Sequence, residues 1–81
     1  MSRPASVDAI IAKVALEHGV SAAELLSDTR WQKVAHARQH AFAAVRGMPR
    51  KPSYPQIGRW FGRDHSTVVH GVRAHEARRS A

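Results

Sequence analysis

Apolar side chains recur along this chain at helical spacing, and no stretch shows the alternation of a half-buried strand. Val7, Ile10, Ile11, Val14 and Ala15 line one face of a first helix, with Ser6 expected as its N-cap and Gly19 as its stop. Ser21-Ala22-Ala23-Glu24 has the form of a capping box, with Val20 and Leu25 at the staple positions around it. It predicts a short second helix ending near Ser27. A third helix is expected from about Gln32 to Arg46, with Val34, Ala37, Ala41, Phe42 and Val45 on one stripe and Gly47 ending it. Pro49, Arg50, Lys51 and Pro52 mark a loop. Ser53 then caps a fourth helix that tolerates Pro55 in its first turn, turns Ile57, Trp60 and Phe61 inward and stops at Gly62. A fifth helix starts at about His65, with Val68, Val69 and Val72 facing the core and a tail from Glu76 expected to fray. Two helices separated by a Gly-containing turn of about three residues form the helix-turn-helix pattern, here over residues 54–75. The fold expected is all-α, a single domain over residues 1–81 of roughly five short helices with an embedded helix-turn-helix.

Composition narrows the function classes. The chain has 81 residues and no cysteine. That length leaves no room for a P-loop ATPase, a Rossmann domain or a barrel beside a second unit, and its core must be small. The lack of cysteine excludes disulfides, thiolate zinc sites and cysteine nucleophiles, and it suits a reducing cytoplasm. No apolar run approaches the roughly 18 residues of a membrane span, and no signal-peptide core follows residues 1–5. Charge says more. Residues 1–29 carry two basic and four acidic side chains, net −2, whereas residues 30–81 carry eleven basic and two acidic ones, net +9. Basicity segregated within one small domain points to a polyanionic partner such as nucleic acid.

The residues able to read such a partner stand at the start of the fifth helix. In a helix-turn-helix the second helix directs its N-terminal residues at base edges in the major groove. Of Asp64-His65-Ser66-Thr67, the His and Ser offer hydrogen bonds, the Thr methyl can touch a thymine methyl, and the carboxylate can accept from cytosine N4. The same four residues also suit a plain N-cap followed by solvated polar groups. Other constellations carry less. His36 and His40, four apart, share a helix face but lack the Glu of an HExxH pattern and a third ligand, so no metal is expected. His65, His70 and His75 are scattered around their helix by a spacing of five. Ser66 and His65 are sequence neighbours that point apart, so no nucleophile–base pair forms. Trp60 and Phe61 read as core, and Trp31 either packs or meets a sugar backbone. No Gly-rich phosphate cradle occurs.

The run Ile57-Gly58-Arg59-Trp60-Phe61-Gly62-Arg63-Asp64-His65-Ser66-Thr67-Val68-Val69-His70 resembles the signature of the C-terminal DNA-binding domain of the bacterial replication initiator DnaA, roughly Ile-Gly-x-x-Phe-Gly-Gly-Arg-Asp-His-Thr-Thr-Val-Leu-His. Ala35-His36-Ala37-Arg38-Gln39 is similar to that family's Ala-Arg-x-Arg-Gln stretch, and Leu25-Leu26-Ser27 precedes a basic loop as it does there. The resemblance extends from about Val7 to Glu76. It implies base reading by Asp64, His65, Ser66 and Thr67 in the major groove and by Arg30 in the adjoining minor groove. Phosphate contacts are expected from Lys33, Arg38, Gln39, Arg46, Arg50, Lys51 and Arg63, fixing register without reading sequence.

The chain departs from the pattern in several places. Gly62 stands alone where the family has two glycines, and the shorter turn is expected to rotate the recognition helix or shorten its reach. Gly62 is also expected to take a positive φ. Ser66 keeps a hydroxyl but lacks the commoner Thr methyl, His36 replaces a family arginine, and Gln32 replaces another basic side chain. The expectation is therefore a non-enzymatic, sequence-specific binder of double-stranded DNA at replication-origin-type or promoter sites. It needs no cofactor, metal, membrane or small-molecule substrate, is monomeric, and belongs in the cytoplasm with the nucleoid. With no ATPase domain in the chain, it is expected to be a free-standing regulator or competitor of an initiator. The alternative is a protein-interaction module whose basic face docks an acidic partner.

Overall fold

The computed structural model describes residues 2–80 and contains five helices: α1 (Ala5–His18), α2 (Ala22–Leu26), α3 (Gln32–Arg46), α4 (Tyr54–Phe61) and α5 (His65–Ser80). No strand occurs among the described residues, so the fold is all-α. Helix α3 is the axis of the molecule and packs against each of the other four, most extensively against α5 and α1. Its buried stripe of Val34, Ala37, Ala41, Phe42 and Val45 is the one the sequence pattern predicts. Around it Val7, Ile11 and Val14 of α1, Leu25 of α2, Ile57 and Phe61 of α4, and Val68 and Val72 of α5 complete the core. Phe42 meets Phe61 edge to face with ring centroids 4.9 Å apart, a favoured aromatic geometry. Gly71 allows α5 to close on α3, since a Cβ there would sit 2.6 Å from Phe42 Cδ2. Val69 is only half-buried, so two of the three expected α5 valines face the core fully.

Most helix ends follow the local signals. The capping box forms, with the Ser21 hydroxyl accepting from Glu24 N–H at 3.0 Å and the Glu24 carboxylate accepting from Ser21 N–H at 2.9 Å. Ser53 Oγ accepts from Gln56 N–H at 3.2 Å. Gly19 and Gly62 both adopt left-handed backbone, φ +69° and +67°, and close α1 and α4 in the same way. In each, the N–H after the glycine reaches back five residues: Val20 to the Ala15 carbonyl at 3.0 Å and Arg63 to the Gly58 carbonyl at 2.8 Å.

Two ends differ from expectation. Helix α1 starts at Ala5, not after a Ser6 cap: Pro4 is the N-cap, its carbonyl accepting from Val7 and Asp8 N–H groups. Arg3 holds this start by pairing with Asp8 at 2.8 Å and donating to the Trp60 carbonyl at the end of α4. The segment from Glu76 does not fray. It continues α5 to Ser80, because Ala and Arg are good helix formers and Arg78 and Arg79 lie at the negative end of the helix dipole. Among the described residues, no helix is long and apolar enough to cross a membrane.

Candidate nucleic-acid interface

The turn between α4 and α5 is three residues, Gly62-Arg63-Asp64, and it passes directly over α4. A methyl on Gly58 would overlap the Arg63 carbonyl oxygen, so only glycine at that position lets the chain cross so closely. Asp64 then caps α5. Its Oδ2 accepts from Ser66 N–H at 3.0 Å, and this bond together with the Ser66 hydroxyl holds the carboxyl below the usual carboxylate range. One carboxylate oxygen is thus committed to the cap, while Oδ1 lies 3.8 Å from His65 Nδ1. His65, Ser66 and Thr67 are exposed immediately before Val68 goes into the core. The exposed face continues at helical spacing through His70, which ends the signature run without an expected role, and Arg73, which lies beyond that run, at offsets of four and seven from Ser66.

Arginines tie the α2–α3 loop to this turn. Arg38 on α3 donates Nε to the Leu25 carbonyl at 2.9 Å and one terminal nitrogen to the carbonyls of Ser27 at 2.6 Å and Thr29 at 3.1 Å. Arg63 donates to the same Ser27 carbonyl and pairs with Asp28 at 3.3 Å. Burial, and then the neighbouring Arg63 charge, lower the Arg38 pKa from its ordinary value, partly offset by Asp28. The loop that ends in Arg30 is therefore fixed against the start of α5. Asp28, Arg30, Arg38, Arg63 and Thr67 line one hollow of about 470 Å³. An adjoining groove of about 440 Å³ between α3 and α5 adds Gln39, His70 and Gly71.

The expected phosphate-contacting residues do not form one row. Arg38 and Arg63 turn inward as just described. Arg46 donates to the Pro52 carbonyl at 2.8 Å and stacks over the Tyr54 ring at 4.3 Å, holding the α3–α4 loop. Lys33 Nζ lies beside Gly19, where a Cβ would be 3.3 Å from it, near the C-terminus of α1. Gln39 is half-buried in the groove, with its carboxamide oxygen buried and without a hydrogen-bond partner among the described residues. Arg30, Arg50 and Lys51 are exposed, the last two on the separate α3–α4 loop, where Lys51 has φ +43°.

Three histidines far apart in sequence, from α1, α3 and α5, also meet. His18 Nε2 and His40 Nδ1 are 3.0 Å apart, and His40 stacks on His75 with centroids 4.5 Å apart. His40 pairs with these rings, not with His36, and no group of three or more His, Asp or Glu among the described residues is arranged to hold a metal ion. Burial first, then the neighbouring histidines, lower the pKa of both His40 and His75.

A short helix crossed closely at its own glycine by a three-residue turn, with the following helix starting in exposed polar residues beside an anchored basic loop, makes this a helix-turn-helix protein. Family comparison gives the particular kind. The bacterial DnaA protein helix-turn-helix family matches residues 7–74, and the chain belongs to it. It is 42% identical over 76 residues to the chromosomal replication initiator protein DnaA of Caulobacter vibrioides, covering 93% of this chain and 15% of that protein. It is 40% identical over 77 residues to DnaA of Sphingopyxis alaskensis, covering 94% and 17% respectively. Against DnaA of Xanthobacter autotrophicus it is 46% identical over 68 residues, covering 83% and 13%. The chain thus spans a small part of the length of these curated relatives. No solved structure matches it. Membership of this family supports DNA binding.

Proposed function

We propose that the chain binds duplex DNA in a sequence-specific manner through α5 and the α2–α3 loop. The observation that carries this reading is the exposed first turn of α5, His65-Ser66-Thr67, held by a tight turn and flanked by the anchored loop that bears Arg30. The net +9 of residues 30–81 attracts the duplex. Arg30 reads the adjoining minor groove, while the exposed Arg50, Lys51 and Lys33 meet phosphates and set register, joined by Gln39 and the free terminal nitrogen of Arg38. The unit involved is residues 54–75 with the loop ahead of α3, working without enzymatic activity, in the cytoplasm on nucleoid DNA. Its sites are of the initiator type, at origins or promoters, where it regulates or competes with a full-length initiator.

A randomised-duplex selection followed by anisotropy titrations at several salt concentrations tests this. If about five basic side chains neutralise phosphates, log K falls against log salt with a slope of about −4 to −5. Thr67→Ala and His65→Ala each cost about 1–3 kcal/mol on the selected duplex and little on random DNA. A slope near zero, or equal losses on both duplexes for Thr67→Ala, would refute the reading. Absence of binding even at low salt would favour an acidic protein as the partner of the basic face.

A further inference from the structure

We propose that Trp31 is a DNA contact, its indole lying against the sugar wall and minor-groove edge of the strand flanking the site occupied by α5. This inference rests on the duplex-binding reading above. Trp31 is 72% exposed, whereas the other tryptophan, Trp60, is 8% exposed and part of the core. Tryptophan is a highly buried residue type on average, so the exposed ring has no folding advantage. Local helix energetics do not explain it either. Trp31 is the N-cap of α3 and makes no side-chain capping bond, where Ser, Thr, Asp or Asn would stabilise the helix.

The surroundings point to the ligand. Arg30 precedes the ring and Lys33 follows two residues later, both exposed. The segment just before it is not free to wander, because Arg38 and Arg63 grip the carbonyls of Leu25, Ser27 and Thr29. Arg63 belongs to the turn that starts α5, and Arg30 and Thr67 line one hollow, so the loop and the recognition helix form one face. With α5 in the major groove, a side chain beside its first turn faces the neighbouring backbone strand and the minor groove beyond it. There the flanking cations suit phosphates, and the flat ring suits deoxyribose. The indole N–H is only a donor, and A·T pairs offer only acceptors in the minor groove, whereas G·C adds a donor. Trp31 therefore favours A·T at the position it touches. Leu16, 82% exposed on α1, is a contrast: it stands in the net-acidic part of the chain, where Lys13 three residues before it is offset by Glu17 beside it.

The two tryptophans make the test direct, because acrylamide reaches Trp31 and not the buried Trp60. Fluorescence quenching is measured with and without the selected duplex, with Trp31→Phe identifying the signal. Protection of Trp31 on duplex binding is expected. Trp31→Ala is expected to bind about tenfold more weakly, within the range of aromatic–nucleotide contacts, with an unchanged salt slope because no charge is lost. Repeating the selection with Trp31→Ala should remove an A·T preference at one flanking position, while Leu16→Ala behaves as the parent. Thermal melts confirm that each variant folds. A Trp31 that stays fully quenchable in the complex, or a Trp31→Ala variant with parental affinity, overturns the inference while leaving duplex binding in place. Protection by single strands but not by duplex also overturns it. If the parent binds no duplex at all, the function reading fails and this inference fails with it.

Discussion

Replacing Gly58 by alanine separates two roles that glycine plays in the α4–α5 joint. Alanine in the interior of a helix is ordinarily better than glycine by about 1 kcal/mol. Here the added methyl would overlap the Arg63 carbonyl oxygen by about 1 Å and press on the His65 nitrogen at 3.4 Å. Both are backbone atoms, so no side-chain rotation relieves the clash. Overpacking of this kind costs about 1–3 kcal/mol, and the turn must lift off α4, straining the 2.8 Å bond from Arg63 N–H to the Gly58 carbonyl. Set against the propensity gain, this leaves a net loss of up to about 2 kcal/mol, or up to about 16 °C in Tm for a domain of this size. Gly62 is the converse case. Among the described residues nothing lies within 4 Å of a Cβ there, so the penalty comes from its φ of +67°. Gly62→Val should lose about 1 kcal/mol or more, and Gly62→Asn much less, because Asn tolerates left-handed backbone. Urea or thermal melts give the stabilities, and titrations at a temperature where every variant is folded give DNA affinity. Gly58→Ala should lose more affinity than its unfolded fraction explains, since the lifted turn carries Asp64 and His65 with it. A Gly58→Ala variant with native Tm and native affinity would refute this account, as would a Gly62→Asn variant as damaged as Gly62→Val.

Arg38→Lys keeps the charge but cannot donate to three carbonyls in one plane, so it should destabilise the domain by about 2 kcal/mol and speed amide exchange in residues 27–30. Its DNA affinity should fall with an unchanged salt slope, and full retention of affinity and exchange rates would show that the inward hydrogen bonds position nothing. Stability should also fall in acid. His40 and His75 have lowered pKa values in the folded state, facing His18, Glu17, Arg78 and Arg79, so the unfolded chain binds more protons as pH drops through about 6.5. Tm should therefore decrease between about pH 7 and pH 5, and His75→Phe, which keeps a stacked ring, should flatten that decrease. An equally steep profile in the variant would exonerate the cluster.

Helix order, the capping box at Ser21, the buried stripe of α3 and the positive φ of Gly62 were legible in the sequence because each depends on neighbours within a few residues. Periodicity, caps and glycine torsions are local physics. The start of α1 was less legible: Pro4 and not Ser6 is the cap, and Arg3 ties that start to Asp8 and to the Trp60 carbonyl, 57 residues away. The family signature identified the family, which the match over residues 7–74 shows. Sequence could not tell which arginines face outward. Arg38 and Arg63 look alike in a motif, yet tertiary packing brings the Ser27 carbonyl to both, and a half-buried guanidinium takes the acceptors nearest to it. Nor could it bring His18, His40 and His75 together from three helices, or decide between packing and exposure for Trp31. Those outcomes depend on how α3 orients its neighbours around one small core, a property of the packed whole that no local pattern encodes.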